Sequence, residues 1–298
     1  MADVENSKTD NLSEFEVNQR SIDRAPFKNL KISDSGILNT LEGRKTCELC
    51  CKSRKFFCYT CYVPVIDNSC FPRVKLPIKI DIIKHAHEID GKSTAIHAVI
   101  LAPEDVKIYT YPDFPDITNK EETVLIFPSK SAQTVSVEAL FAKRREQNDI
   151  LANGTESVFP IKRAIFIDST WQQTKAIYKD QRLRELRCVI LKSRISQFWR
   201  YQKKSPRWYL ATIEAIHQFL VELHTCALGA EYVDIHNSLL DKKQNSTTTD
   251  KEMEECLEIN QKYCGQYDNL LYFFKYMYDK IHSIYDHDKL QAYKRPLA

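Results

Sequence analysis

Short β-branched runs alternate with stretches of helical periodicity from about Lys75 onward, and this alternation constrains the fold more than any other feature of the chain. The runs that predict strands end in turns or loops and lie at Ala95–Leu101, Thr123–Phe127, Ala164–Ile167 and Cys188–Leu191. Helical periodicity is found at Val135–Ile150, Trp171–Leu186, Trp208–Leu223 and within Cys256–Tyr285. Strands that alternate with helices favour an α/β domain with a largely parallel sheet.

The remaining segments divide the chain further. Residues 1–40 lack hydrophobic periodicity and predict a mostly disordered tail, whereas residues 41–72 form a cysteine-rich module. Residues 73–298 then make up the α/β domain, with a flexible insertion predicted near 237–255, where the run Lys242–Asp250 is entirely polar. We expect no signal peptide and no membrane span, and therefore reduced thiols among the ten cysteines.

Glycine is scarce, and its scarcity excludes two common kinds of nucleotide site. The chain has six glycines in 298 residues, never closer than seven positions apart. A Walker loop or a dinucleotide fingerprint needs two or three glycines within a few residues, because only glycine lets backbone amides approach a phosphate closely. Glycine-loop NTPases, protein kinases and classical Rossmann enzymes are therefore disfavoured.

Two Cys-x-x-Cys pairs lie seven residues apart, at Cys47, Cys50, Cys58 and Cys61. Each pair can form a tight turn that aims two thiolates at one tetrahedral ion, so four sulfurs predict a structural zinc site with no open position for catalysis. The separation is shorter than the usual ~15–20 residues. The alternatives are a chance clustering of thiols, or a site in which Cys51 replaces Cys50.

Positive charge is concentrated between Lys175 and Arg207, where eleven residues are basic and two are acidic, although the whole chain carries a net charge of only +3. Phosphates attract lysine and arginine, and unpaired bases stack on aromatic rings such as those interleaved in Phe198–Tyr201. We therefore predict an RNA-binding surface here, with contacts from Arg200, Lys203, Lys204 and Arg207. The alternative is a solvated helix face.

The run Arg163–Trp171 predicts a strand that delivers Asp168 to its carboxyl end, followed by a helix that Ser169 or Thr170 can cap. Ligands of open α/β sheets bind outside the carboxyl ends of the strands. Asp168 is thus positioned for chemistry, although an aspartate at such a turn can also serve only as a helix cap.

Asp168–Trp171 resembles the D-x-T-W signature of the DTW-domain family, and other segments agree with the family in order and spacing. Leu125–Ala132 resembles its strand-then-proline loop, Tyr209–Ala215 its L-S-T-x-E-A helix with alanine at the serine position, and His85–Glu88 its His-Pro-x-Glu element. The cysteine pairs match its zinc-binding N-terminus in kind. The closest resemblance is to the eukaryotic tRNA-uridine aminocarboxypropyltransferases of that family.

The resemblance implies a SPOUT-like α/β fold with a C-terminal trefoil knot and S-adenosylmethionine as the donor. It implies transfer of the 3-amino-3-carboxypropyl group to N3 of a D-loop uridine in tRNA, with release of methylthioadenosine. It further implies tRNA as partner, no membrane and no obligate protein partner, and a nuclear location with the cytoplasm as the alternative. A methyltransferase of similar fold and a non-catalytic zinc-ribbon RNA-binding adaptor remain competing hypotheses.

Asp168 is the candidate base for the uracil N3 proton, which is too weakly acidic to leave unaided at neutral pH. It could instead hold the ammonium group of the donor or cap the helix. The donor is expected to contact the two loops and the helix start, at Pro128, Ser129, Asp168, Ser169, Thr170, Trp171, Leu210, Thr212 and Glu214. Trp171 could instead be a core residue, and Glu214 could lie on a solvated helix face.

Overall fold

The computed structural model describes residues 21–129, 134–142, 158–202, 205–230 and 259–295. Its strands are β1 Lys45–Thr46, β2 Ser53–Arg54, β3 Phe57–Cys58, β4 Val63–Pro64, β5 Lys79–Lys84, β6 Val106–Thr110, β7 Thr123–Ile126, β8 Thr134–Ser136, β9 Arg163–Asp168 and β10 Arg187–Ile190. Its α-helices are α1 Ile37–Thr40, α2 Ala95–Leu101, α3 Trp171–Tyr178, α4 Gln181–Arg184, α5 Thr212–Leu228 and α6 Tyr272–Ile284. Short 3₁₀ helices lie at Asn68–Cys70, Glu138–Phe141, Asp268–Leu271, His287–Lys289 and Gln291–Lys294.

Strands β5 to β10 form a six-stranded sheet in the order β6-β5-β9-β7-β10-β8. Every pairing in it is parallel. The predicted α/β class is therefore confirmed. The two strands latest in the chain lie inside the sheet, β9 between β5 and β7, and β10 between β7 and β8. Central strands of this kind are buried on both faces, as the continuous apolar run of β9 requires.

Three of the four predicted strands are confirmed, but Ala95–Leu101 is helix α2. All seven of its residues are buried. A short helix that is apolar all round carries no periodicity to distinguish it from a buried strand. Strands β5, β6 and β8 were not predicted, and β8 lies where the predicted helix Val135–Ile150 was expected to begin. The predicted helix Trp171–Leu186 is broken, because the Asp180 carboxylate accepts the Arg182 backbone N–H and starts a second helix.

The hydrophobic core joins the sheet to segments outside the predicted α/β domain. Phe27 and Leu38 are buried in it, so the prediction of a disordered tail is wrong for residues 21–40. Phe71 of the cysteine-rich module belongs to the same core, and Phe57 of that module packs against Phe273 with ring centroids 5.0 Å apart. The predicted insertion near 237–255 lies outside the described residues. No helix in the described ranges is long and apolar enough to cross a membrane.

Candidate active site

Asp168 ends β9, at the edge of the sheet where the carboxyl ends of the parallel strands meet. Its register partner on β5 is Lys84, and its backbone carbonyl accepts the His85 N–H at 3.1 Å. The Asp168 residue is only 5% exposed. The position predicted from sequence is confirmed, and the structure shows in addition that this carboxylate lies within the protein rather than at its surface.

Two hydroxyl groups from distant segments hold the Asp168 carboxylate. Ser93 Oγ donates to Oδ2 at 2.7 Å, and Thr212 Oγ1 donates to Oδ1 at 2.6 Å. Ser93 precedes α2 and Thr212 is the first residue of α5. A further bond, from the Ile213 N–H to Thr94 Oγ1 at 3.2 Å, ties the two helix starts together. The sheet edge and two helix starts therefore fix the orientation of one carboxylate.

A buried lysine, Lys84, supplies positive charge near the Asp168 carboxylate at this edge of the sheet. Lys84 is 7% exposed, forms an ion pair with Asp90, and places Nζ 5.7 Å from the Tyr62 ring centre. Burial raises the pKa of Asp168 above its ordinary value, although the two hydroxyl bonds and the Lys84 charge oppose the rise. Burial and the nearby Asp168 charge also raise the pKa of Glu88.

The loops expected to contact the donor lie at this same edge, because β7 and β9 are neighbours. Pro128 is exposed just beyond β7, and Ser129 Oγ shares a hydrogen bond with the Tyr178 hydroxyl at 2.8 Å. Ser169 Oγ shares one with Thr174 Oγ1 at 2.7 Å.

The residues that follow β9 start helix α3. Thr170 is the N-cap residue of this helix, within the range of caps that the sequence predicts, and its backbone N–H donates to Gln173 Oε1 at 3.0 Å. Trp171 is the first residue of α3.

The α5 start separates three residues that the sequence analysis grouped. Thr212 faces Asp168, and Leu210 is half-buried just before the helix. Glu214 is 2% exposed, and its carboxylate accepts bonds from Ser196 Oγ at 2.6 Å, the Gln197 N–H at 2.7 Å and the Ala211 N–H at 2.8 Å. These bonds use the carboxylate to hold the 195–199 segment on the helix, so Glu214 is not available to a donor ammonium group or to solvent.

Part of the basic stretch is structural, contrary to the prediction for its aromatic residues and for Arg207. Phe198 and Trp199 are buried against Phe274 instead of being available to stack on bases. Arg207 is 3% exposed and forms two 2.8 Å bonds to the Asp23 carboxylate, so burial removes it from any RNA surface. Lys203 and Lys204 lie outside the described residues, and Arg200 is half-buried.

Two of the exposed basic side chains are paired with carboxylates. Arg182 pairs with Asp180, and Lys192 with Glu138. The other exposed basic side chains, for which the described residues provide no ion pair, are Lys175, Lys179 and Arg184. A charge excess counted along the sequence therefore overstates the charge that this stretch presents to solvent.

The four predicted zinc ligands form one cluster. The Sγ atoms of Cys47, Cys50, Cys58 and Cys61 all lie within 4.8 Å of one another, and those of Cys50 and Cys58 are 3.5 Å apart. A tetrahedral ion with Zn–S bonds of ~2.3 Å needs sulfur atoms at comparable separations. Although burial opposes it, N–H groups of Cys61 and Thr60 lower the pKa of Cys58 to about 6. The donor set thus fits zinc.

The two cysteine pairs have matching turns. Cys51 N–H donates to the Cys47 carbonyl, and Tyr62 N–H donates to the Cys58 carbonyl, both at 2.8 Å. Cys51 and Tyr62 both adopt left-handed backbone, with φ of 56° and 60°. Cys51 is exposed and outside the cluster, so it does not replace Cys50. Elsewhere, Cys264 is disulfide-bonded, and the expectation of reduced thiols is wrong at that position.

Sequence reasoning missed Ser93, Thr94 and Lys84. A Ser-Thr pair directly before an apolar run is a helix-start signal, but the run after it was assigned to a strand. Lys84 lies at the end of β5, which was not predicted. Without the neighbouring strand there was no reason to place this lysine beside Asp168.

Comparison with known proteins gives a consistent result. The sequence profile of the DTW domain family matches residues 55–282 of the chain. The chain is 39% identical to the tRNA-uridine aminocarboxypropyltransferase 1 of Xenopus tropicalis, over 87% of each chain. It is 40% identical to the human protein of the same name, over 86% of this chain and 84% of the human one. The mouse protein of that name is 39% identical over 85% and 83%. No solved structure matches the chain.

Proposed function

The chain belongs to the DTW domain family, and from this membership we propose that it transfers the 3-amino-3-carboxypropyl group of S-adenosylmethionine to N3 of a uridine in the D-loop of tRNA. The names of its relatives support the aminocarboxypropyl transfer and the tRNA substrate. One observation from the structure carries the proposal. The carboxylate of the family motif, Asp168, is desolvated, oriented by two hydroxyl groups and located at the ligand-binding edge of the sheet.

The residues present fit this chemistry. S-adenosylmethionine supplies an electrophilic carbon beside a sulfonium. Asp168 accepts the N3 proton as the N3–C bond forms, and the electron pair of the broken C–S bond remains on the sulfur of neutral methylthioadenosine. A carboxylate whose pKa is raised by burial is a stronger base than an exposed one. Ser93 and Thr212 hold it in place without competing for the proton, because both donate to it.

The donor requires no phosphate cradle, so the glycine-poor loops at the sheet edge suffice. Pro128 and Ser129 follow β7, while Ser169, Thr170 and Trp171 follow β9. Leu210 and Thr212 approach the same edge from the start of α5. We place the donor among these residues. Because three carbons of a sulfonium are open to attack, regioselectivity depends on how these loops aim the reacting carbon.

Three further assignments belong to the proposal. A structural zinc ion bound by Cys47, Cys50, Cys58 and Cys61 is supported by the cluster geometry. A SPOUT-like trefoil knot is supported by the insertion of the late strands β9 and β10 between earlier ones. A nuclear location rests on the family resemblance alone.

The deciding experiment uses donor labelled separately in the methyl carbon and in the carboxypropyl carbons, incubated with unmodified tRNA. We expect only the carboxypropyl label to enter tRNA, in stoichiometric balance with released methylthioadenosine. Mapping the labelled nucleoside then identifies the D-loop uridine and the N3 linkage.

The competing functions give different outcomes. Methyl label in tRNA, with carboxypropyl label remaining in solution, would establish a methyltransferase. Binding of tRNA without transfer of either label, and without any effect of Asp168→Ala, would establish an RNA-binding adaptor. Either result overturns the proposed transfer.

A further inference from the structure

A cavity of about 100 Å³ lies between the cysteine-rich module and the loop that precedes α2. Phe57, Tyr59 and Trp199 supply aromatic walls, and residues 90–94 supply a polar one. A cavity for a whole drug-sized ligand measures ~300–1,000 Å³, whereas one water needs only ~10–15 Å³. The space therefore suits part of a ligand, such as a short polar chain. Ser93, which donates to the Asp168 carboxylate, is among its lining residues.

The charged groups around this cavity are not balanced. Asp90 forms an ion pair with Lys84, so its negative charge is compensated. The guanidinium of Arg200 donates one long bond to the Gly91 carbonyl, at 3.4 Å, and no carboxylate among the described residues pairs with it. Burial lowers the pKa of Arg200, which means that its charge is partly desolvated without an anionic partner in place. Lys92 adds a second cation to the lining.

A buried polar atom of a lining residue gives a second indication that the cavity holds a ligand. His97 lines the cavity and is only 6% exposed, and its Nδ1 has no hydrogen-bond partner. Burial lowers the pKa of His97 to about 3, so the ring is neutral at physiological pH. An unpartnered buried polar atom costs free energy unless a ligand or water meets it. The cavity is thus lined by a guanidinium that has no carboxylate partner among the described residues and by a neutral imidazole.

We propose that Arg200 binds the α-carboxylate of the aminocarboxypropyl chain of the donor, in the cavity beside Ser93, and so determines which sulfonium donor the protein accepts. The inference rests on the proposed function, because it assigns a subsite to that donor. The transferred chain carries one carboxylate, and arginine is the residue that best matches a planar carboxylate, through two parallel N–H bonds. Arg200 is then a donor-binding residue rather than the RNA contact that the sequence predicts.

The test compares S-adenosylmethionine with its decarboxylated analogue, which lacks only the carboxylate. For the unaltered protein we expect the carboxylated donor to bind at least about tenfold more tightly by titration calorimetry. In Arg200→Gln this preference falls to about twofold or less, because affinity for S-adenosylmethionine drops while affinity for the analogue hardly changes. Arg200→Lys retains part of the preference, since it keeps the charge without the planar fork. The kcat/KM values for transfer to tRNA follow the same pattern.

Arg24→Gln is the matched control, because Arg24 is an exposed arginine paired with Asp288 at 3.6 Å and should leave both donors unaffected. Equal loss of affinity for the two donors in Arg200→Gln, or no loss for either, overturns the inference. A drop in tRNA affinity with an unchanged donor preference assigns Arg200 to RNA instead and also overturns it. Calorimetry needs no turnover, so donor binding with the expected preference but no transfer would count against the proposed function alone.

Discussion

Asp168 combines two properties that a single residue rarely has without a functional reason. It is an ionisable side chain that is almost fully buried, and it accepts hydrogen bonds from two neutral hydroxyl groups instead of pairing directly with a cation. Lys84, the nearest buried cation along the sheet edge, pairs with Asp90. Neutral donors leave the carboxylate partly uncompensated, and strongly perturbed carboxylates cluster at functional sites.

Asp168→Asn should abolish transfer without destabilising the fold. The amide keeps the shape of the side chain, and serine and threonine hydroxyls can accept as well as donate. The pKa of Asp168 is raised in the folded state, so the charged carboxylate costs stability above that pKa and costs nothing below the unfolded value of ~3.9. The thermal midpoint of the variant relative to the unaltered protein should therefore increase as pH rises from ~4 toward neutrality. A large loss of stability in Asp168→Asn at neutral pH would contradict this account.

Thr212→Val should raise the pKa of Asp168 further, because the hydroxyl of Thr212 stabilises the charged form. The acidic limb of the pH profile of kcat/KM should move upward by up to about one pH unit, the equivalent of one hydrogen bond. Thr212→Ser keeps a hydroxyl and serves as the control. An identical profile in the valine variant would show that Asp168 is not the titrating base.

At the scale of elements, the cysteine-rich module contributes to the site as well as to its own stability. Tyr62, directly after Cys61, lies over Lys84, and Tyr59 lies against Gly91 at the cavity. Both tyrosines belong to the second cysteine turn, whose geometry the cluster fixes. Disruption of the cysteine cluster, and of the zinc site proposed there, is therefore expected to disturb the Lys84–Asp90 pair and the cavity wall.

Cys50→Ser and Cys51→Ser provide a matched pair of variants for the zinc site. The purified protein should contain about one zinc per chain. Cys50→Ser should lose it and show a lower thermal midpoint, because a cluster sulfur is missing. Cys51→Ser should retain it, since that side chain is exposed and outside the cluster. Equal zinc content in both variants, measured by elemental analysis, would refute the four-cysteine assignment.

Helix α3 is the element best placed to meet the RNA backbone. It begins immediately after the Asp168 strand and exposes Lys175 and Lys179, one turn apart, with no ion pair in the described part of the chain. Replacing both by glutamine should weaken tRNA binding and reduce the slope of log K against log salt by about 1.4–1.8. Lys280→Gln with Lys289→Gln, on the C-terminal segment, should leave the slope unchanged. A slope insensitive to the α3 pair would place the RNA elsewhere.

At the scale of the whole molecule, segments far apart in sequence close around one core. Asp23 pairs with Arg207, accepts a bond from the Gln197 side chain, and uses its carbonyl to accept the Tyr278 hydroxyl. A second buried carboxylate, Asp268, accepts the Lys31 N–H and bonds to His217 on α5. The segment 21–40 is thus bonded both to residues 197–207 and to residues 268–278.

Asp23→Ala should cost about 3–5 kcal/mol in the free energy of unfolding, because it leaves the Arg207 charge buried without its partner. Asp23→Ala combined with Arg207→Met should recover part of that loss, as measured by urea denaturation. The tRNA affinity of the folded double variant should equal that of the unaltered protein. A selective loss of tRNA affinity would restore Arg207 as an RNA contact.

Much of the fold could be predicted from local pattern. Strand β9, the cap at Thr170 and the two cysteine turns each depend on neighbouring residues only, so the sequence indicates them directly. Helix α2 could not be recognised, because a buried helix without a polar face lacks helical periodicity. For the same reason the cap residues before it, Ser93 and Thr94, went unnoticed as parts of the site.

The parallel α/β class, the cysteine cluster and the place of Asp168 at a strand end follow from local sequence, because strand polarity and short ligand spacings are local properties. The environment of each charge depends instead on how distant segments pack together. In the folded chain Arg207 is buried against Asp23, Glu214 is bonded to the 195–199 segment, and Arg200 lies beside a cavity with no counterion among the described residues. The sequence gives each side chain's charge, but its solvation and its partners depend on residues far away along the chain, as for Arg207 and Asp23, which are 184 positions apart.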